Sequence, residues 1–197
     1  MTHGTKTAEM AAKTAKYPTF DISQLPSVKD GGMTIEEETT RRKKTCRFIE
    51  EACRILKLPR VATATALVFF HRFYAKHSFQ KHDRFEVAVA CILLAAKTEE
   101  SPRKVVNVID ECHKLRSRAT AAGRTSSQSP NHAAPPERMN PKSEEFAKLK
   151  ERILLLERVV LHTIGFELSV DHPYKFIVDQ VRKMFPSPFR LRKNAHM

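Results

Sequence analysis

Between Phe85 and Ala96 the chain carries twelve consecutive positions with a single charge, Glu86, and no glycine or proline. A buried strand is usually four to eight residues, so this run is too long for one. It is also too short for a bilayer, which takes about 20 residues. It therefore reads as a helix buried on all sides. The preceding segment, about Val61 to Lys76, behaves similarly: Leu67, Val68, Phe69, Phe70, Phe73 and Tyr74 surround it, and Ala62, Ala64 and Ala66 let neighbours approach closely. Two helices without a polar face belong at the centre of a bundle.

The flanking segments supply the shell. A helix is predicted from about Ile35 to Lys57, with Glu36, Glu37 and Glu38 at its positive end and Phe48, Ile49, Ala52, Cys53 and Leu56 on one stripe. Pro59 stops it. Ser101-Pro102 reads as cap and first turn of a fourth helix with Val105, Val106, Ile109 and Cys112 on its apolar face. Ser143 opens a fifth, with Phe146, Leu149, Ile153, Leu156, Val160 and Ile164 on its stripe, and Gly165 ends it. Pro173 starts a last helix bearing Tyr174, Ile177, Val178, Val181 and Phe185. The fold expected is all-α: a five-helix bundle plus one C-terminal helix. Residues 1–33 read as a mobile arm, and 119–142, rich in Ala, Ser and Pro, as a flexible insertion.

Composition narrows the chemistry. The net charge of +13 favours acidic partners. Cys46, Cys53, Cys91 and Cys112 lie within apolar helical patterns and read as reduced core residues. Cys112-His113 lacks the second pair that a zinc site needs, so neither metal nor other cofactor is expected. His71-Arg72-Phe73 lacks the aspartate of a kinase catalytic loop, and Cys91 has no electropositive neighbour in sequence, so no catalytic residue is assigned. Two charges interrupt apolar stripes: Lys97 after Phe85, Val89 and Leu93, and Glu157 between Ile153 and Val160. Each either snorkels or pairs locally, or both rim a surface that another protein covers.

Four segments, in order, carry a resemblance. They are His71-Arg72-Phe73-Tyr74; Leu94-Ala95-Ala96-Lys97-Thr98-Glu99-Glu100; Leu156-Glu157 with Thr163-Ile164-Gly165-Phe166-Glu167-Leu168; and Val170-Asp171-His172-Pro173-Tyr174. Together with a weaker match over Phe20 to Ser27, they resemble the cyclin box, in the variant of the transcriptional T- and K-type cyclins. The resemblance implies a regulatory subunit, nuclear and without chemistry of its own, that activates a transcriptional cyclin-dependent kinase acting on the RNA polymerase II tail. It implies kinase contacts at Lys97, Glu100, Glu157 and Phe166. It implies a cyclin box over 34–168, with 169–197 as the start of a truncated second repeat and a basic tail. Where cell-cycle cyclins carry an apolar docking patch this chain has Arg41-Arg42-Lys43-Lys44-Thr45, and His71 replaces the aspartate that partners the patch arginine. Both changes argue against substrate docking there. The alternative reading is a cyclin-fold module that binds nucleic acid through its basic surface. No membrane association is expected.

Overall fold

The computed structural model describes residues 20–124 and 139–184, and every regular element among them is helical. A 3-10 turn at Ile22–Gln24 leads into α1 (Pro26–Lys29), followed by α2 (Ile35–Ile55), α3 (Arg60–Lys76), α4 (Arg84–Thr98), α5 (Val105–Arg124), α6 (Glu144–Thr163) and α7 (Tyr174–Met184). The expected all-α architecture is present.

α4 is the centre. Every residue from Val87 to Ala96 is buried. Asp83 starts the helix by accepting hydrogen bonds from the backbone N–H groups of Phe85 and Glu86. α3 packs along one side with Phe69, Phe70, Phe73 and Tyr74 fully buried, and α6 packs along the other. α2 and α5 complete the shell. Each large side chain so buried contributes about 1.5–3 kcal/mol of transfer free energy. Glu86, the one charge in the apolar run, reaches Arg152 of α6 at 2.9 Å.

Three boundaries differ from the sequence reading. Residues 20–33 are a docked segment, not a mobile arm: Leu25 and Met33 are buried, and the hydroxyl of fully buried Ser27 accepts from Phe79 N at 2.9 Å. Gly31 packs so closely on Gln80 and the Ser27 carbonyl that a Cβ would lie 2.6 Å from each. Residues 1–19 lie outside the described residues.

The second difference is the start of α5. Ser101-Pro102 does not open it; residues 101–104 are non-helical, and Arg103 turns back onto α2, donating to the Leu56 carbonyl at 3.0 Å and the Lys57 carbonyl at 2.7 Å. The cation thereby satisfies orphan carbonyls at the negative end of that helix. The third is its end: α5 runs to Arg124, so residues 119–124 are helical rather than part of an insertion. Residues 125–138 lie outside the described residues, and Met139 already packs on the core.

α2 begins with a capping box readable as Thr34-x-x-Glu37. Thr34 Oγ1 accepts from Glu37 N at 3.2 Å, while Thr34 N donates to Glu37 Oε2 at 3.1 Å. α7 starts after Pro173 as expected. Its apolar residues Tyr174, Phe176, Ile177, Val178, Val181 and Met184 are exposed; Phe185 lies outside the described residues.

Candidate partner-binding face

Lys97 sits in the last turn of α4 and Glu157 in the middle of α6, sixty residues apart in sequence. Lys97 Nζ donates to Glu157 Oε1 at 2.6 Å and Oε2 at 2.9 Å. The two charges neither snorkel separately nor pair within their own helices; they pair with each other. Glu157 is buried against the bundle, whereas the Lys97 side chain is 53% exposed. The ammonium therefore keeps free surface beside the carboxylate it neutralises.

Glu100 follows one turn later and is exposed. α4 ends in a Schellman motif: Glu100 N donates to Lys97 O at 3.2 Å and Ser101 N to Ala96 O at 2.9 Å. That motif puts Glu100 at φ 50°, in the left-handed region that disfavours any residue with a Cβ.

α6 ends in the same way. Gly165 N donates to His162 O at 3.0 Å, Phe166 N donates to Leu161 O at 3.1 Å, and Gly165 has φ 66° as its sequence position predicts. Phe166 then takes φ 60° as well and remains 60% exposed, with the edge of His162 against its ring. It lies nine positions after Glu157 in the chain, beyond the C-terminal end of α6.

Side chains of α3 hold this end of α6. Lys76 Nζ donates to the Thr163 carbonyl at 2.8 Å, and Arg72 Nη1 to the Glu167 carbonyl at 3.1 Å. Cations on the last carbonyls complement the helix dipole and aim the Phe166 turn outward. A cavity of about 320 Å³ lies under this turn, between Val68 and Arg72 of α3, Ile164, and Val170.

A second cluster ties the end of α4 to the segment before α7. Fully buried Thr65 donates its hydroxyl proton to Glu99 Oε1 at 2.7 Å and lies 2.9 Å from His172 Nε2. Neither contact was legible beforehand, because the partners are 34 and 107 residues from Thr65.

At the start of α2, Arg42 turns inward. It pairs with buried Glu38 and donates to His71 Nδ1 at 3.2 Å and the Tyr74 carbonyl at 3.3 Å. The arginine and the residue replacing its expected aspartate are thus in contact. Burial first, and then the Arg42 charge, hold the His71 pKa below the usual imidazole value. Of the four cysteines, all free, Cys53, Cys91 and Cys112 are buried and Cys46 is half-buried. Burial raises every one of these thiols, Cys53 to about 11, which suppresses nucleophilic thiolate. No helix among the described residues is long and apolar enough to cross a membrane.

A helical box built around a fully buried central helix is the architecture of the cyclin-box class. The cyclin N-terminal domain family matches residues 15–169. Cyclin-T1-3 of Oryza sativa subsp. japonica is 38% identical over 164 residues, 83% of this chain and 30% of its own length. Cyclin-L1 of Xenopus laevis is 38% identical over 161 residues (82% and 30%), and Cyclin pch1 of Schizosaccharomyces pombe 32% identical over 170 (86% and 45%). The chain belongs to the cyclin family, a family of regulatory subunits, and its T-type relatives agree with the resemblance read from the motifs. L-type cyclins, which the motifs had not singled out, stand beside them. The chain spans less than half the length of each of these relatives.

Proposed function

We propose that this chain binds and activates a cyclin-dependent kinase of the transcriptional class, and that the kinase contacts are Lys97, Glu100, Glu157 and Phe166. The observation that carries the reading is the Lys97–Glu157 pair, with a buried carboxylate and a half-exposed ammonium. Such a surface charge, held in place by a buried carboxylate, orients a partner more than it adds raw affinity. Glu100 and Phe166 support it, because both are exposed and both occupy left-handed backbone conformations. Strain of this kind clusters at functional sites. Seated there, the regulatory helix of the kinase would be held inward, so that its glutamate pairs with the ATP-positioning lysine.

On this reading, residues 34–168 are the kinase-binding repeat and residue 169 onward opens a second. The complex works in the nucleus and promotes phosphorylation of the RNA polymerase II tail. A pull-down of the full chain against a panel of cyclin-dependent kinases, followed by a kinase assay on an RNA polymerase II tail peptide, tests this. Capture and stimulation of a transcriptional kinase is expected. Capture of only cell-cycle kinases, or of none, overturns it.

A further inference from the structure

Arg41 and Lys44 of α2 and Arg84 of α4 converge on one cavity of about 540 Å³. This is the stretch where the family resemblance places an apolar docking patch, and here it is cationic. Arg41 and Lys44 are exposed and about one helical turn apart. Arg84 is half-buried, its guanidinium 4.6 Å from the centroid of the Phe85 ring; Arg116 lies over the same ring at 4.5 Å. Arg116 is neutralised by Asp83 at 3.2 Å. Among the described residues Arg41, Lys44 and Arg84 form no ion pair, and Arg84 donates only a long hydrogen bond, 3.4 Å, to the Arg41 carbonyl. Burial and the neighbouring Arg41 charge depress the Arg84 pKa, Asp83 opposes them, and Arg116 depresses it further. Three cations face two acids in this cavity, and among the described residues none of the three cations is held in an ion pair. Two acids, Glu36 and Glu37, line the end of the cavity nearer the start of α2, and Glu37 is engaged by Thr34 N.

We propose that this cavity docks a phosphorylated segment of a partner protein, with the phosphoryl group held by Arg41, Lys44 and Arg84. A phosphoryl group carries close to two negative charges at neutral pH and three acceptor oxygens, which suits three converging donors better than a single carboxylate does. Recognition of phosphorylated motifs by clustered arginines is a general mode. A nucleic-acid strand instead needs a continuous track of cations. Further along α2 the positive residues are interleaved with acids: Glu50 and Glu51 follow Arg47, and Arg54 is paired to Glu51 at 2.5 Å. The inference stands independently of the kinase reading.

The test is fluorescence anisotropy of the full chain with three labelled probes. These are a peptide pool with one central phosphothreonine and degenerate flanks, its unphosphorylated twin, and single-stranded oligothymidine. The phosphorylated pool should bind about tenfold more tightly than its twin, reflecting one charge-assisted contact set. The Arg41→Ala/Lys44→Ala double variant, whose side chains are exposed, should lose about that preference with unchanged helicity. Adding Arg84→Gln should abolish it, while Lys97→Ala should leave it intact. Equal binding of the two pools overturns the proposal, as does a double variant that keeps the preference. Oligothymidine bound as tightly as the phosphopeptide, and lost in the same variants, would make the patch a nucleic-acid surface and overturn it equally.

Discussion

Lys97 and Glu157 share two hydrogen bonds, at 2.6 and 2.9 Å, but not an environment: the lysine side chain is 53% exposed and the glutamate 11%. The consequences of removing each are therefore unequal. A half-exposed ion pair contributes little to stability, about 0–1 kcal/mol. Lys97→Ala nevertheless strands the mostly buried Glu157 carboxylate, so it should lower the thermal midpoint while the chain still folds. In a desolvated interface the same truncation should weaken kinase binding by about 2–5 kcal/mol. Glu157→Ala should match that loss of binding while also vacating a buried site. Calorimetric titration beside thermal unfolding separates the two effects. A Lys97→Ala chain that keeps full affinity would remove the ion pair from the interface.

The left-handed residues give a sharper test. Glu100, Phe166 and Lys57 all have φ between 50° and 60°, and a residue with a Cβ there costs about 1–2 kcal/mol. Substitution to glycine relieves most of that strain, less the larger entropy glycine loses on folding. Glu100→Gly and Phe166→Gly should thus stabilise the chain by about 0.5–1 kcal/mol in urea unfolding, yet weaken the kinase complex. Lys57→Gly should give the same stabilisation with binding intact. Three glycine variants that bind alike would sever the link between strain and partner recognition.

Much of this fold was legible because its periodicities are strong. The unbroken apolar run of α4 has no solvent-facing solution, and the Ser143 and Gly165 signals bracket α6 within a residue or two. Contacts set by tertiary geometry were not legible. Ser101-Pro102 is a good local helix start, but Arg103 instead caps the end of α2, a partner that local sequence does not reveal. Lys97 and Glu157 could each be marked as anomalies in an apolar stripe; that each is the other's partner depends on α4 and α6 lying side by side. The periodicity of α7 marks an apolar stripe but does not say what covers it. Among the described residues Phe176, Ile177 and Val181 of that stripe are exposed.

Three histidines make stability depend on acidity. Burial is the leading cause of a depressed pKa at His71, His77 and His82, reinforced by Arg42 at the first, by His82, Lys81 and Lys76 at the second, and by Lys81 at the third. Glu38 opposes the shift at His71. The folded chain releases these protons more readily than the unfolded chain does. Stability is then complete above the ordinary histidine value of about 6.5 and falls as pH drops below it. Urea unfolding at pH near 7.5 and near 5.5 should show lower stability at the acidic value. His71→Gln should flatten part of that slope. Stability that rises on acidification across this window would reverse the sign and exclude these groups as its cause.

The Thr65 cluster makes the last prediction, and proton bookkeeping decides its form. A threonine hydroxyl has one proton, and an ionised carboxylate only accepts. Thr65 therefore donates to Glu99 at 2.7 Å, and the hydrogen in the 2.9 Å contact with His172 must sit on Nε2. Both the neutral Nε2–H tautomer and the imidazolium satisfy this, so the cluster holds without a particular charge on His172. Its structural effect is to pin the segment before α7 against α3 and the C-terminal turn of α4. Thr65→Val keeps the shape and deletes the hydroxyl from a fully buried position. Leaving a carboxylate and an imidazole without their shared partner should cost about 1–3 kcal/mol. The loss should be local as well: hydrogen exchange should accelerate over residues 170–174, while the fully buried centre of α4 exchanges only through global unfolding. If Thr65→Val lowered stability but left exchange at 170–174 unchanged relative to the core, the hydroxyl would be acting within α3 alone, and the segment before α7 would be held by something else.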